Sequence, residues 1–153
     1  MPFKINISDK HGRTFHLEME SEGLVSKSLH EKIKGSDISP ELHDYEFEIT
    51  GASDKSGFPA MKEIDGIMLN RVLIGYGIGM KKRPKREGKK KRSNFKPSGL
   101  RMRKTARGKI ISPEIIQVNL KVLKEGAKKL NEIFPEQNQK KEEKKAEAKP
   151  EVA

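Results

Sequence analysis

The sequence contains no cysteine. That excludes a disulfide scaffold, a cysteine nucleophile, an iron–sulfur cluster and every thiolate zinc site. It has no run approaching the roughly 18 apolar residues that a membrane-spanning helix needs. Its opening stretch, Met1-Pro2-Phe3-Lys4-Ile5-Asn6-Ile7, alternates too early to read as a signal peptide. Aromatic residues are scarce at 5%, and hydrophobic residues fill only 33% of the 153 positions. One small core is all that such a chain can build. The profile is that of a soluble, cytoplasmic protein with no membrane partner.

What the sequence has in excess is positive charge, and the excess is local. Residues 1–80 carry 9 Lys/Arg against 13 Asp/Glu, a net of −4. Residues 110–153 carry 9 against 8, a net of +1. Residues 81–109 carry 15 basic residues and the single acid Glu87, a net of +14. The middle stretch therefore holds more than the whole surplus of +11. A mildly acidic body with one intensely basic segment is the footprint of a polyanion binder.

Around that segment the hydrophobic pattern has period two. Phe3, Ile5 and Ile7, then Phe15, Leu17 and Met19, flank a polar turn containing Gly12, which predicts a β-hairpin. Leu24, Val25, Leu29 and Ile33 are compatible with a helical stripe, although Gly35 and Pro40 stop any long helix. Asp37 or Ser39 is placed to cap a single turn through Leu42. Further strands are expected at Tyr45–Ile49, at Leu69–Ile74 with Arg71 embedded, and at Ile116–Val122. Many short amphipathic strands with Gly/Pro turns predict a mainly all-β fold, a small antiparallel β-barrel over residues 1–126. A short helix is expected over 127–134. Residues 135–153, made of Gln, Asn, Lys, Glu, Ala and Pro with Val152, are expected to be a disordered tail.

The basic segment 81–109 reads as an extended loop between two strands. Pro84, Gly88, Pro97 and Gly99 forbid a continuous helix, and repulsion among the cations extends the chain when free. Phosphates supply the missing counter-charge: Arg offers forked hydrogen bonds, and Lys a mobile point charge. Phe95 is the segment's only aromatic, so contacts with phosphate and shape are favoured over stacking on bases. A general DNA/RNA-binding, chromatin-like protein fits the same composition.

Catalytic chemistry finds no support. His11, His16, His30 and His43 are scattered, and His30-Glu31 lacks the second His of H-E-x-x-H, so no metal site is expected. Gly75-Tyr76-Gly77-Ile78-Gly79 lacks the spacing of a dinucleotide fingerprint. Asp54 and Lys55 read as a local salt bridge or an Asx-turn, and Ser53 and Ser56 have no base partner. Neither an enzyme, a cofactor nor a small-molecule substrate is expected.

The stretch Gly51-Ala52-Ser53-Asp54-Lys55-Ser56-Gly57-Phe58-Pro59-Ala60-Met61 resembles the G-x-x-D-K-x-G-F-P-M signature of the archaeal and eukaryotic small-subunit ribosomal protein S-six-e family. Arg83-Pro84-Lys85-Arg86-Glu87-Gly88 is similar to its R-P-R-R-x-G stretch, and Arg101-Met102-Arg103-Lys104-Thr105-Ala106-Arg107-Gly108 to its R-R-R-K-x-x-R-G stretch. Ile111-Ser112 and Gln117–Val122 follow in order. Ala60 departs from the pattern by separating Pro59 from Met61, and Lys89 to Leu100 looks like an insertion. The long Arg-rich C-terminal helix of eukaryotic members is absent, and 135–153 contains no Ser or Thr, so their phosphorylation role does not transfer. The short form looks archaeal.

The resemblance implies a β-barrel protein in the small ribosomal subunit. Its partners would be small-subunit rRNA and neighbouring ribosomal proteins, and it would have no enzymatic activity. The residues expected to meet rRNA are Arg83, Lys85, Arg86, Lys89, Lys90, Lys91, Arg92, Arg101, Arg103, Lys104 and Arg107. Gly51, Asp54, Lys55, Gly57, Phe58 and Pro59 are expected to form a structural motif.

Overall fold

The first two alternating runs pair as expected. In a computed structural model, which describes residues 2–80, 99–135 and 137, β1 (Phe3–Ser8) and β2 (Thr14–Met19) form an antiparallel hairpin. Gly12 turns it at φ +79°, a left-handed angle that costs glycine little. Phe3, Ile5, Ile7 and Phe15 point into the core, while Lys4 and Glu18 pair across the outer face at 3.2 Å.

Next come β3 (Lys32–Lys34), β4 (Glu46–Asp54), β5 (Leu69–Ile74), β6 (Met102–Arg107) and β7 (Ile115–Lys124), then a single-turn helix α1 (Leu130–Ile133). Five strands make one sheet in the order β2-β1-β7-β4-β3. β7 runs antiparallel to β4 and parallel to β1. Ile49, Ala52, Val118, Leu120 and Val122 extend the buried face begun by β1, joined by Ile33, Phe47 and Ile115. Burying that face is the main stabilising contribution, at about 25 cal/mol per Å² of apolar surface.

The fold is mainly β as expected, but among the described residues the sheets do not close into a barrel. Among the described strands β5 and β6 pair only with each other, as a separate two-stranded ribbon, and the five-stranded sheet ends at β2 and β3. Isolated bridges, Ser28 with Ile110, Ser53 with Pro59 and Ala60 with Arg107, link ribbon and sheet without closing a cylinder. Nor is the main sheet wholly antiparallel, since β1 fills its second edge with β7 rather than with a hairpin neighbour.

The anticipated helical stripe is not a helix. Leu24, Leu29 and Ile33 are buried, but Ser26 and His30 adopt positive φ (71° and 65°), which breaks the run into turns and a short strand. A 3₁₀ turn spans Pro40–Leu42 with Ser39 as its cap, Oγ accepting from the Glu41 amide at 3.4 Å. Gly35 sits where a β-carbon would lie 1.7 Å from the Leu42 carbonyl, so only glycine fits.

The helix expected over 127–134 contracts to the one turn of α1, held by buried Leu130 and by the Tyr45 hydroxyl donating to the Lys128 carbonyl. Phe134 packs on Phe15, ring centroids 5.9 Å apart. Of the tail expected to be disordered, Pro135 and Gln137 are described, and Gln137 is docked. Its Nε2 donates to the His16 carbonyl (2.8 Å) and its Oε1 accepts from the His16 amide (2.7 Å), capping the free edge of β2. The rest of the tail lies outside the described residues.

Candidate nucleic-acid interface

The ribbon flanks the segment of interest in sequence. β5 leads into Gly75–Met80, the strongly basic stretch follows, and β6 returns. Residues 102–107 are thus strand, although sequence reasoning placed all of 81–109 in a loop. The alternation is hidden there because cations occupy both faces. Arg83, Lys85, Arg86, Lys89, Lys90, Lys91 and Arg92 lie outside the described residues.

Register fixes the two faces of the ribbon. Leu69 pairs with Arg107, Arg71 with Thr105 and Leu73 with Arg103 on one side; Asn70 with Ala106, Val72 with Lys104 and Ile74 with Met102 on the other. Residues directly opposite in an antiparallel pair share a face, so Arg71 and Arg103 are diagonal neighbours, roughly 7–8 Å apart at the backbone. Arg71 was left out of the expected contact set. Its signal was a lone cation inside an apolar strand, which gains meaning only once the register is known.

These cations have no acid to lean on. Arg71, Arg101 and Arg103 are exposed and Lys104 is half-buried. None of the four forms an ion pair with a carboxylate among the described residues. In the body Lys4, Lys10, Lys27 and Lys124 pair with Glu18, Glu125, Glu31 and Glu46, while Lys55, Lys62 and Lys121 form no ion pair among the described residues but are not clustered on one ribbon. Exposed apolar side chains gather in the same place. Ile67, Met68, Leu69, Leu73, Ile78, Leu100 and Met102 are the exposed large hydrophobics among the described residues, and all lie on the ribbon or its ends. Such a concentration marks a surface that meets a partner.

Arg107 behaves otherwise. Its side chain is buried, with Nε donating to Asp54 Oδ2 at 2.9 Å, Nη1 to the Ile67 carbonyl at 3.3 Å, and Nη2 pairing with Glu114. Asp54 ends β4; its Oδ1 accepts from the Phe58 amide (2.9 Å), and Gly57 at φ +82° lets the chain turn beneath it. The Arg107 amide donates to the Pro59 carbonyl at 2.9 Å, and the Arg107 carbonyl accepts from the Met61 amide at 3.0 Å. Asp54, Gly57, Phe58 and Pro59 of the expected motif thus take part in a latch that fastens the ribbon to the sheet. An Asx-type turn forms at Asp54 as anticipated, but its charge partner is Arg107, and Lys55 is exposed.

Burial opposes charge on Asp54, but the Arg107 hydrogen bond and the Phe58 amide outweigh it and hold the carboxyl below its ordinary range. A carboxyl with a lower pKa folded than unfolded contributes stability that is complete above about pH 4 and lost as pH falls through the folded value. Following the Arg107 Nε–H and Phe58 amide NMR signals from pH 6 downward is expected to show both persisting below pH 4. Their disappearance at or above pH 4 would contradict the latch.

One other cluster of candidate ligand atoms occurs among the described residues. Asp9, His11 and Glu125 bring such atoms within 4.8 Å of one another at the hairpin turn. His11 and Glu125 are exposed, and Lys10 already pairs with Glu125 at 3.8 Å, so the arrangement reads as surface charge.

Comparison with known proteins shows the family. A family model described as Ribosomal protein S6e matches residues 3–98 and 93–135. The small ribosomal subunit protein eS6 of Methanococcus maripaludis is 39% identical over 128 residues, covering 83% of this chain and 91% of that protein. Its namesake in Methanothermobacter thermautotrophicus is 38% identical over 137 residues (88% and 96%), and that of Archaeoglobus fulgidus 36% over 145 (91% and 100%). With the matched residues spanning sheet, latch and ribbon alike, the chain belongs to the ribosomal protein S6e family.

Proposed function

We propose that this protein is a structural constituent of the small ribosomal subunit that grips rRNA through its cationic arm and so takes part in translation. It is a structural protein, not an enzyme, and works in the cytoplasm as part of the ribosome. One observation carries the rRNA reading: Arg71, Arg101, Arg103 and Lys104, gathered on the ribbon and its end, form no ion pair among the described residues and lie beside the exposed large hydrophobics. A surface that leaves Arg71, Arg101, Arg103 and Lys104 without counter-charge is suited to a polyanion that brings its own.

Each phosphate met by a cation releases condensed counterions, so binding draws on entropy and weakens with salt. The apolar side chains beside these cations suit the sugar and base surfaces that RNA displays where strands open. The latch sets where the arm leaves the sheet, and Lys85, Arg86, Lys89 and their neighbours extend the contact beyond it. Neighbouring ribosomal proteins are the second class of partner.

Binding of the full chain to archaeal small-subunit rRNA across a salt series tests this. With ~8 phosphates neutralised, log affinity should fall against log salt with a slope of about −6 to −7. A flat response would overturn the polyanion reading altogether, and preferential binding to duplex DNA in competition at one salt concentration would instead support a chromatin-like role.

A further inference from the structure

A cleft of about 400 Å³ lies between the end of β5 and the sheet, a volume within the range of small-ligand sites. Met61 and Ile74 give it apolar walls, Tyr76 a half-buried ring, and Lys62 and Glu63 an exposed charged rim. His30 also lines it and holds φ at 65°, a conformation that non-glycine residues rarely adopt and that clusters at binding sites. Its Nδ1 is 3.1 Å from Glu48 Oε1; a carboxylate can only accept, so Nδ1 donates, and Nε2 is left uncommitted among the described residues. Gly75 borders the same space, and a β-carbon built on it meets nothing within 4 Å. Lys81, the first residue of the basic run, follows Tyr76 by five positions.

We propose that this cleft receives a single nucleobase turned out of the RNA that the arm grips. The inference rests on the rRNA-binding reading and adds a subsite to it. A base has a flat apolar face for Met61, Ile74 and Tyr76 and polar edges for His30, while its phosphate can reach Lys62. RNA is commonly recognised through unstacked bases of loops and bulges, which this geometry suits better than a paired helix. The partnerless cations at Arg71 and Arg103 on the same ribbon favour a ligand attached to a polyanion over an apolar peptide.

Isotope-labelled full-length protein titrated with AMP should show amide shifts centred on His30, Gly75, Tyr76 and Gly77. Ribose 5-phosphate, which lacks the base, should leave those amides unmoved. Gly75→Leu fills open space and should abolish the AMP response, and Tyr76→Ala should weaken it. Each variant should also lose roughly 10-fold in affinity for small-subunit rRNA, because one stacked base is worth about that much. The salt slope should not change, since no cation is removed. Equal shifts with ribose 5-phosphate, or unaltered rRNA affinity in both variants, would overturn the cleft while leaving the rRNA reading in place. A salt-insensitive wild type would overturn both.

Discussion

Replacing Arg107 by methionine is expected to destabilise the protein by about 3–5 kcal/mol, because one half of a buried ion pair is removed and the other is left uncompensated. The Asp54 side chain is 4% exposed and would lose its main partner, while the Ile67 carbonyl would lose a donor. Glu114, the third partner, is 69% exposed and contributes little to this figure. Urea unfolding of the full chain measures the loss. The double variant Arg107→Met with Asp54→Leu should regain most of it, since removing both charges also removes the cost of burying them. A single-variant loss below about 1 kcal/mol would place the pair in the class of weak surface bridges. The double variant carries a second readout: its rRNA salt slope should equal that of the wild type. A slope shallower by about one unit would return Arg107 to the set of phosphate contacts.

Substituting Arg83, Lys85, Arg86, Lys89, Lys90, Lys91 and Arg92 together by glutamine should have the largest effect on binding. At 0.7–0.9 units per phosphate contact, the salt slope should become shallower by roughly 5–6 units, and affinity should fall by about 10³ or more at moderate salt. Thermal unfolding should barely change, because sheet, latch and ribbon are built from other residues. The paired change Arg71→Gln and Arg103→Gln should flatten the slope by only about 2. If the sevenfold variant kept the wild-type slope, the grip would belong to the ribbon alone.

Strands buried on one face were readable from the sequence, because alternation reports burial directly. Ile5 and Ile7, or Val118, Leu120 and Val122, could face the core in only one register. β5 was placed at its observed ends by a short apolar run containing strand-favouring Val and Ile, although no residue of it is fully buried. β4 runs five residues past the expected strand because Gly51, which reads as a break, sits instead at a register shift against β7. β6 was missed because Arg103, Lys104 and Arg107 mask its pattern, and charge says nothing about whether a residue lies in strand or loop. Leu24, Leu29 and Ile33 were correctly read as buried but assigned the wrong period, since two positive φ angles were invisible in the spacing.

At the site, the segment that carries the charge was plain from composition, but the division of labour within it was not. Arg107 looks identical to Arg103 in a list of cations. Only the fold brings Asp54 within 2.9 Å of one and leaves the other in the open. Arg71 and the cleft beneath Tyr76 were likewise products of tertiary placement.

The parallel pairing of Lys4–Ser8 with Gln117–Lys121 sets a condition on how the protein is made. The hairpin is synthesised before the other strands, but two strands alone are marginal in water. The strand that seats them against the core is translated more than a hundred positions later. At 5–20 residues per second that delay is roughly 5–20 s, during which fifteen cations emerge with no finished scaffold behind them. The nascent polypeptide is therefore most exposed to the wrong polyanion just before it acquires the framework that aims it at the right one.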